Sequence, residues 1–350
     1  MKDLAYRVGG LLYTPAAHPR LAEMICKQRY PELRARTFCL EDSIQDGNLS
    51  EAEASLHASL RDVKDRMEDA RKLPMLFVRV RTPEHLARLA EEYRDVTDLL
   101  TGYVLPKFDA GNAEQYLALL PELAAAAGTP VYYMPILESN AIAAAPTRRE
   151  ALAELKELLA PAKESILNIR VGGNDFCNLY GLRRHSDQTI YDIGVVRDIL
   201  IDILNVFSQD YVVSGPVWEY FGEDPAGAWA KGMKRELELD RLNGFIGKTV
   251  IHPSQLPFVA ESLRPSAEDY EDAKRILCWK PGLAVAKSTD GTRMNEVKCH
   301  GNWARRVKIL GDIYGVKEKR KDAVQTLANR IVRSRDARPA LRGMPQEYAN

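Results

Sequence analysis

The chain has 350 residues, 45% of them apolar, with 49 acidic and 49 basic side chains and no net charge. That length suits one barrel-sized domain plus an appendage, and the balanced charge argues against bulk attraction to nucleic acid or an anionic membrane. No apolar run approaches the ~20 residues that span a bilayer. The start, Met-Lys-Asp-Leu-Ala-Tyr-Arg, has no apolar signal core, and Cys26, Cys39, Cys177, Cys278 and Cys299 form no Cys-x-x-Cys pair. They read as reduced thiols, so a cytoplasmic protein is expected.

In chain order, the run 10–14 (Gly-Leu-Leu-Tyr-Thr) predicts a first strand, followed by Pro15, His18 and Arg20. A second strand, 37–40, ends in Glu41 and Asp42 and leads into a helical segment over 52–72. The third, 75–80, carries Arg79, which shares a side with Arg81 because strand side chains alternate, and precedes a helix over 83–100. The fourth, 102–106, runs into Lys107, and the Ala- and Leu-rich helix 112–127 stops at Gly128-Thr-Pro. The fifth, 131–137, delivers Glu138 and is followed by a helix over 147–162. The sixth, 167–172, ends in two glycines and presents Asp175, ahead of the basic loop Leu182-Arg183-Arg184-His185 and a helix over 190–207. The seventh, 210–213, leads to Ser214 and a helix over 226–241, and the eighth, 244–251, leads to His252.

Eight strands alternating with helices predict a parallel sheet closed into a (β/α)8 TIM barrel. An open doubly wound sheet is the rival, but no Gly-x-Gly-x-x-Gly opens the first unit. The barrel is expected over 1–265. Residues 266–350 break the alternation: Pro265-Ser-Ala-Glu-Asp starts a helix, 280–300 reads as a hairpin around Asp290-Gly291, and basic helical patches follow at 302–314 and 317–335 before a loose tail. This C-terminal part is expected as a flap and helices packed on the barrel or on a neighbouring subunit.

Catalytic groups in such barrels hang from the C-terminal ends of the strands. Glu138 or Asp175 alone reads equally as a helix cap or a surface charge. Together, at equivalent positions one strand apart, they read as a divalent-metal pair, and a set of oxygen ligands favours Mg²⁺, with Mn²⁺ as alternative, over Zn²⁺. Arg79 at a strand end suits a substrate carboxylate, which a guanidinium grips with two parallel hydrogen bonds. Arg20 and Lys107 are further candidate cations for substrate. Asp42 fits a cap as well as a site residue; His252 fits a structural hydrogen bond as well as catalysis. Arg183 and Arg184 fit a site for a phosphate or polyacid, or simply a solvated loop.

The ordered set Leu-Leu-Tyr-Thr-Pro, Leu-Glu-Asp (40–42), Arg-Val (79–80), Leu-Pro-Lys (105–107), Glu138, Gly-x-x-Asp (172–175) and Gly-Phe-x-Gly-Lys-x-x-Ile-His-Pro-x-Gln (244–255) resembles the HpcH/HpaI aldolase/citrate lyase superfamily, its citrate lyase β-like branch in particular. The resemblance implies a carbon–carbon lyase in which Glu138 and Asp175 hold Mg²⁺, Arg79 holds the keto-acid carboxylate, and Glu41 and Asp42 order the metal's waters and the arginine. It further implies a homotrimer or hexamer, and coenzyme A as carrier of the acyl group. The stretch Asp290-Gly-Thr-Arg-Met-Asn-Glu296 resembles the family's C-terminal flap, with Glu296 where aspartate is usual, which makes Glu296 a candidate acid/base.

The chain departs from the pattern in the longer basic loop at 182–185, in Ser214-Gly215-Pro216 where an aspartate is usual, and in Arg-Val-Arg where Arg-Val-Asn is usual. The expected reaction is retro-Claisen cleavage of a citryl-, malyl- or citramalyl-type thioester into a keto acid and an acyl thioester. The alternatives are an aldolase on a non-thioester, phosphorylated or free keto-acid adduct, read by Arg183 and Arg184, and a non-catalytic barrel subunit of a larger complex.

Overall fold

Eight short parallel strands form the frame: β1 (Gly10–Pro15), β2 (Ala35–Cys39), β3 (Met75–Arg79), β4 (Gly102–Leu105), β5 (Tyr132–Leu137), β6 (Ile169–Val171), β7 (Val213–Ser214) and β8 (Lys248–Val250). The structure is a computed structural model and describes residues 2–67, 72–279 and 285–317. The strands pair in sequence from β1 to β7, and β8 returns to β1 through Leu11–Thr249. The circle closes through the Gly215–Lys248 bridge, where Gly215 N–H donates to Gly247 O at 3.0 Å and Ile246 N–H to Val213 O at 2.8 Å. This is the (β/α)8 barrel expected from the alternation. Because side chains alternate across a strand, Leu11, Ala35, Phe77, Val104 and Met134 gather in one apolar cluster with Ile136, while a second set, including Phe38, Leu76, Val78 and Tyr103, packs with the surrounding helices.

Several elements end where local chemistry dictates. The segment read as one helix over 112–127 is two, Ala110–Ala118 and Leu120–Ala127, because Pro121 opens the second in its first turn. The helix expected over 83–100 stops at Glu92. The eighth strand is shorter than 244–251, because Gly244 (φ 109°) is the left-handed cap of the helix Ala228–Asn243. Gly247 (φ 76°) then passes Gly9 so closely that a Cβ would lie 2.2 Å from the Gly9 carbonyl oxygen. The seventh strand, expected over 210–213, occupies Val213–Ser214 instead.

The chain divides into two compact units, the barrel with Met1–Arg264 and Ile309–Gly315, and a second unit that includes Pro265–Lys308. The second unit holds a helix (Ala267–Leu277) and an antiparallel hairpin of β9 (Val285–Lys287) and β10 (Met294–Glu296). The hairpin turns at Asp290-Gly291, where Asp290 accepts from Ser288 Oγ at 2.5 Å and from Thr292 N–H at 3.0 Å. The following helix, Val297–Tyr314, begins earlier than the expected 302 and absorbs the end of the anticipated hairpin. The helix expected over 317–335 and the tail lie outside the described residues, except for residue 317. Among the described residues no helix is long and apolar enough to cross a membrane.

Candidate active site at the C-terminal mouth of the barrel

The sixth strand shows how the sequence makes room for chemistry. β6 ends at Val171, and the backbone turns at Gly172 into the short helix Gly173–Leu179, whose first turn carries Asp175. A Cβ built on Gly172 would lie 2.2 Å from Glu138 Oε2 and 3.1 Å from Asp175 Oδ2. Both carboxylates therefore face the bare Cα of one glycine, from adjacent strands. Burial first, and the Asp175 charge second, push the Glu138 carboxyl up to about 8. Two hard oxygen donors around a cradle that one methyl group would fill fit a small divalent cation, which would offset their repulsion. Among the described residues no third His, Cys, Asp or Glu joins them, so such a cation would keep coordination positions for water or ligand. Gly172→Ala is expected to weaken Mg²⁺ binding by about 10–100-fold, read by calorimetric titration. An unchanged affinity would show that the cradle is not the cation site.

Opposite the pair, Arg79 ends β3 with its side chain buried. Its Nη2 lies 2.7 Å from Glu41 Oε2, 3.0 Å from Asp42 Oδ2 and 3.7 Å from Glu138 Oε1. Burial pulls the guanidinium pKa down, but Tyr13, Glu41 and Glu138 outweigh it, so Arg79 stays charged. Its Cζ sits 5.8 Å from the centre of the Tyr13 ring. Lys107 takes the left-handed conformation (φ 48°), costly for a side-chain-bearing residue. The turn directs its N–H to Glu138 Oε1 at 2.8 Å, while its Nζ reaches Glu41 Oε1 at 2.8 Å. Burial alone would raise Asp42; its hydrogen bond to Glu41 and the charges of Arg79 and Lys107 hold it below the usual carboxylate range instead. Tyr13, Asp42, Arg79, Glu138 and Asp175 all line one cavity of about 200 Å³.

The structure thus gathers Glu41, Asp42, Arg79, Lys107, Glu138 and Asp175 at one mouth. It does not gather the rest. Arg20 is exposed beside the helix Leu21–Lys27 and does not line the cavity. Arg183 is largely exposed, with Nε 3.1 Å from Glu219.

The expectation that Arg184 reads a substrate anion is overturned. Its side chain is fully buried, with Nε 3.2 Å from Glu236 Oε2 and Nη2 bonded to the Val217 carbonyl. Taking this charge out of water costs desolvation, which the Glu236 carboxylate and the Val217 carbonyl offset. His252 resolves to a structural role: its Nδ1 accepts from Ser254 N–H at 3.2 Å and caps the turn Pro253–Gln255, and its ring stacks on Phe221 at 4.5 Å. Glu296 belongs to the second unit, where its N–H donates to His300 Nδ1 at 2.9 Å.

One cavity residue was missed. Arg170, within β6, is 1% exposed and lines the same cavity. It donates to Thr249 Oγ1 at 2.7 Å and Asn168 Oδ1 at 3.4 Å, and among the described residues no carboxylate pairs with it. Among the described residues its Nε has no acceptor. The signal was a single charge inside the apolar run Ile-Leu-Asn-Ile-Arg-Val, at the same parity as Gly172.

Comparison with known proteins adds the context. A family model described as a C–C bond lyase of the TIM-barrel fold matches residues 2–316. Among solved structures, a citrate lyase from Burkholderia xenovorans LB400 is similar at 17% identity and TM-score 0.66, over 89% of this chain and 94% of that one. CitE from Mycobacterium tuberculosis, solved with magnesium, acetoacetate and coenzyme A, is similar at 20% identity and TM-score 0.56, over 87% of this chain and 99% of that one. The citrate lyase beta subunit of the same organism, complexed with oxaloacetate and magnesium, is similar at 21% identity and TM-score 0.52, over 75% of this chain and 100% of that one. At these identities the likeness is one of fold. A search of curated protein sequences returned no match.

Proposed function

The chain belongs to the C–C bond lyase family of the TIM-barrel fold, and from that premise we propose that it is a Mg²⁺-dependent lyase that cleaves a 3-hydroxy-acid thioester of citryl, malyl or citramalyl type. The observation that carries this reading is the pair Glu138 and Asp175 around the bare Cα of Gly172, facing Arg79. The cation would be held by Glu138 and Asp175. When bound, Mg²⁺ supplies Lewis-acid polarisation of a substrate oxygen and a template for orientation.

The residues divide the remaining work. Arg79, locked in place by Glu41 and Asp42, grips the substrate carboxylate and keeps its own charge in the buried site. Lys107 clamps Glu41 from the opposite side and, through its N–H, fixes the rotamer of Glu138. In the cleavage direction the Glu296 carboxylate takes the hydroxyl proton, the carbinol carbon becomes the keto carbon, and its bond to the thioester α-carbon breaks. Its electron pair passes to the thioester as an enolate, which then takes a proton. Glu296, on the hairpin of the second unit, is the proposed proton donor, acting as a flap in its own or a neighbouring subunit of a trimer or hexamer. Coenzyme A is the proposed carrier, in keeping with the M. tuberculosis CitE structure that contains it. The reading with a phosphorylated, non-thioester adduct loses support because Arg184 is turned inward.

Arg170 bears on the keto acid. A buried guanidinium with only neutral acceptors suits a second anionic group on the ligand, so a keto-dicarboxylate fits this cavity better than a keto-monocarboxylate. Calorimetric titration tests both points. Oxaloacetate and pyruvate should bind only in the presence of Mg²⁺, with oxaloacetate favoured by about 10–100-fold, the value of a charged hydrogen bond. Arg170→Met should remove that preference while leaving the affinity for pyruvate unchanged. Keto-acid binding that ignores Mg²⁺ would sink the lyase reading; equal affinities in the parent protein would sink the role of Arg170.

A further inference from the structure

A second cationic cavity lies at the other end of the strands. It is about 430 Å³, a size typical of small-molecule sites, and is enclosed by the helix Leu21–Lys27, the segments leading into β2 and β3, and residues of the N-terminal helix Lys2–Arg7. Arg7, Arg34, Arg36 and Lys72 line it together with Tyr30 and Met75, and among the described residues no acidic side chain does. Arg36 forms the inner wall. It sits near the start of β2, five residues before Glu41 and so about 16 Å from it along an extended strand.

Arg36 is 1% exposed and donates one side-chain hydrogen bond, Nη1 to Thr14 Oγ1 at 3.0 Å. Among the described residues its buried Nε has no acceptor and no carboxylate pairs with it. Burial lowers its pKa to about 10, and Tyr30 opposes that shift. Burying a cation without a counter-charge is unfavourable, so the fold holds a cost here that packing does not explain. Arg34 is already oriented, its Nη2 bonded to the Ile313 carbonyl at 3.0 Å and its Cζ 5.1 Å from the Tyr314 ring. The result is a fixed inner guanidinium, a second that is pinned, and two exposed cations at the rim.

We propose that this cavity is a binding site for a compact polyanion, phosphoryl or polycarboxylate, seated on the Arg36 guanidinium. It is separate from the metal pair and does not depend on the lyase reading. Guanidinium groups suit such ligands because their planar forks match phosphoryl and carboxylate oxygens.

The test is calorimetric titration of the full chain, without Mg²⁺, with pyrophosphate and separately with tricarballylate, at ionic strength matched by chloride. Binding should weaken by about tenfold or more in Arg36→Met and persist in Asp175→Ala. The exposed pair Arg7→Gln with Lys72→Gln should weaken it by a smaller factor and flatten its salt dependence, which reads the site even if Arg36→Met folds poorly. A response to pyrophosphate alone identifies a phosphoryl ligand, and a response to both identifies a site that reads charge. The proposal is overturned by no binding, by binding that matched chloride abolishes (an adventitious ion only), or by binding indifferent to Arg36, Arg7 and Lys72. Loss in Asp175→Ala would also overturn it, placing the anion at the barrel mouth.

Discussion

Asp175→Ala should abolish both the Mg²⁺ requirement and the turnover of this protein, lowering kcat/KM by about a thousandfold or more, the several kcal/mol that Lewis-acid stabilisation contributes. The reason lies in the pairing. With Asp175 beside it, Glu138 is a carboxyl that burial and the Asp175 charge push up to about 8, so at neutral pH it holds its proton. A cation must displace that proton, and without Asp175 one anionic donor is gone and the cradle over Gly172 is half empty. Glu138→Gln should be as damaging, because the remaining amide carries no charge.

The same argument fixes a pH dependence. A carboxyl whose folded pKa lies above its ordinary value costs stability as it ionises, so the cation-free protein should lose thermal stability as pH rises from the ordinary carboxylate range through about 8. Mg²⁺ should flatten that fall, and its affinity should drop as pH is lowered below about 8, because uptake releases a proton. Thermal melts across this window, with and without Mg²⁺, check the sign. A cation-free protein that gains stability over the same range would contradict the assignment.

The second large effect is on stability. Lys248→Met should destabilise the barrel by about 3–5 kcal/mol, the cost of leaving buried charges unpaired. Lys248 is fully buried on β8, its Nζ 2.9 Å from Glu236 Oε1 and 2.7 Å from Asp240 Oδ2. Burial alone would lower its pKa, but Asp240 and Glu236 raise it, so the ammonium is retained. The cluster ties the last strand to the helix Ala228–Asn243, to Arg184 through Glu236, and to Tyr191, whose hydroxyl donates to Asp240 Oδ1 at 2.8 Å. Methionine keeps the stem's volume and removes the charge, so two carboxylates compete in an apolar setting. Adding Asp240→Asn should recover part of the loss, since one orphaned charge goes while an acceptor for Tyr191 stays. Urea unfolding followed by circular dichroism measures both. A shift below about 1 kcal/mol, the scale of a surface pair, would mean that the cluster relaxes into water.

The contrast between Arg79, Arg170 and Arg184 shows what was legible in the chain and what was not. Arg79 could be placed because it ends an apolar strand next to a recognisable motif, and a strand end in a barrel is a mouth. Arg170 sits inside a strand of three residues, Ile169–Val171, too short for a period of two to announce which face it takes. Arg184 lies in a run of basic loop residues that resembles a solvated or anion-binding segment. Its partner Glu236 lies 52 positions away, and no local pattern links them. The break at Pro121 shows the opposite case, a local rule overlooked beneath a strong Ala and Leu pattern.

From the order of residues alone came the alternation of eight apolar runs with helical segments, the closed barrel it predicts over an open doubly wound sheet, and the two carboxylates that follow the fifth and sixth runs. These are local facts: a buried strand must be apolar, and the residue after it meets solvent at the mouth. Tertiary structure alone decided which charges share a point. It set Glu138 and Asp175 across one glycine, bound Arg79 to Glu41 and Asp42, drew Arg184 inward, and left Arg170 and Arg36 buried without a carboxylate among the described residues. Pairing energies depend on distances between groups far apart in sequence, and those distances exist only once the barrel has closed.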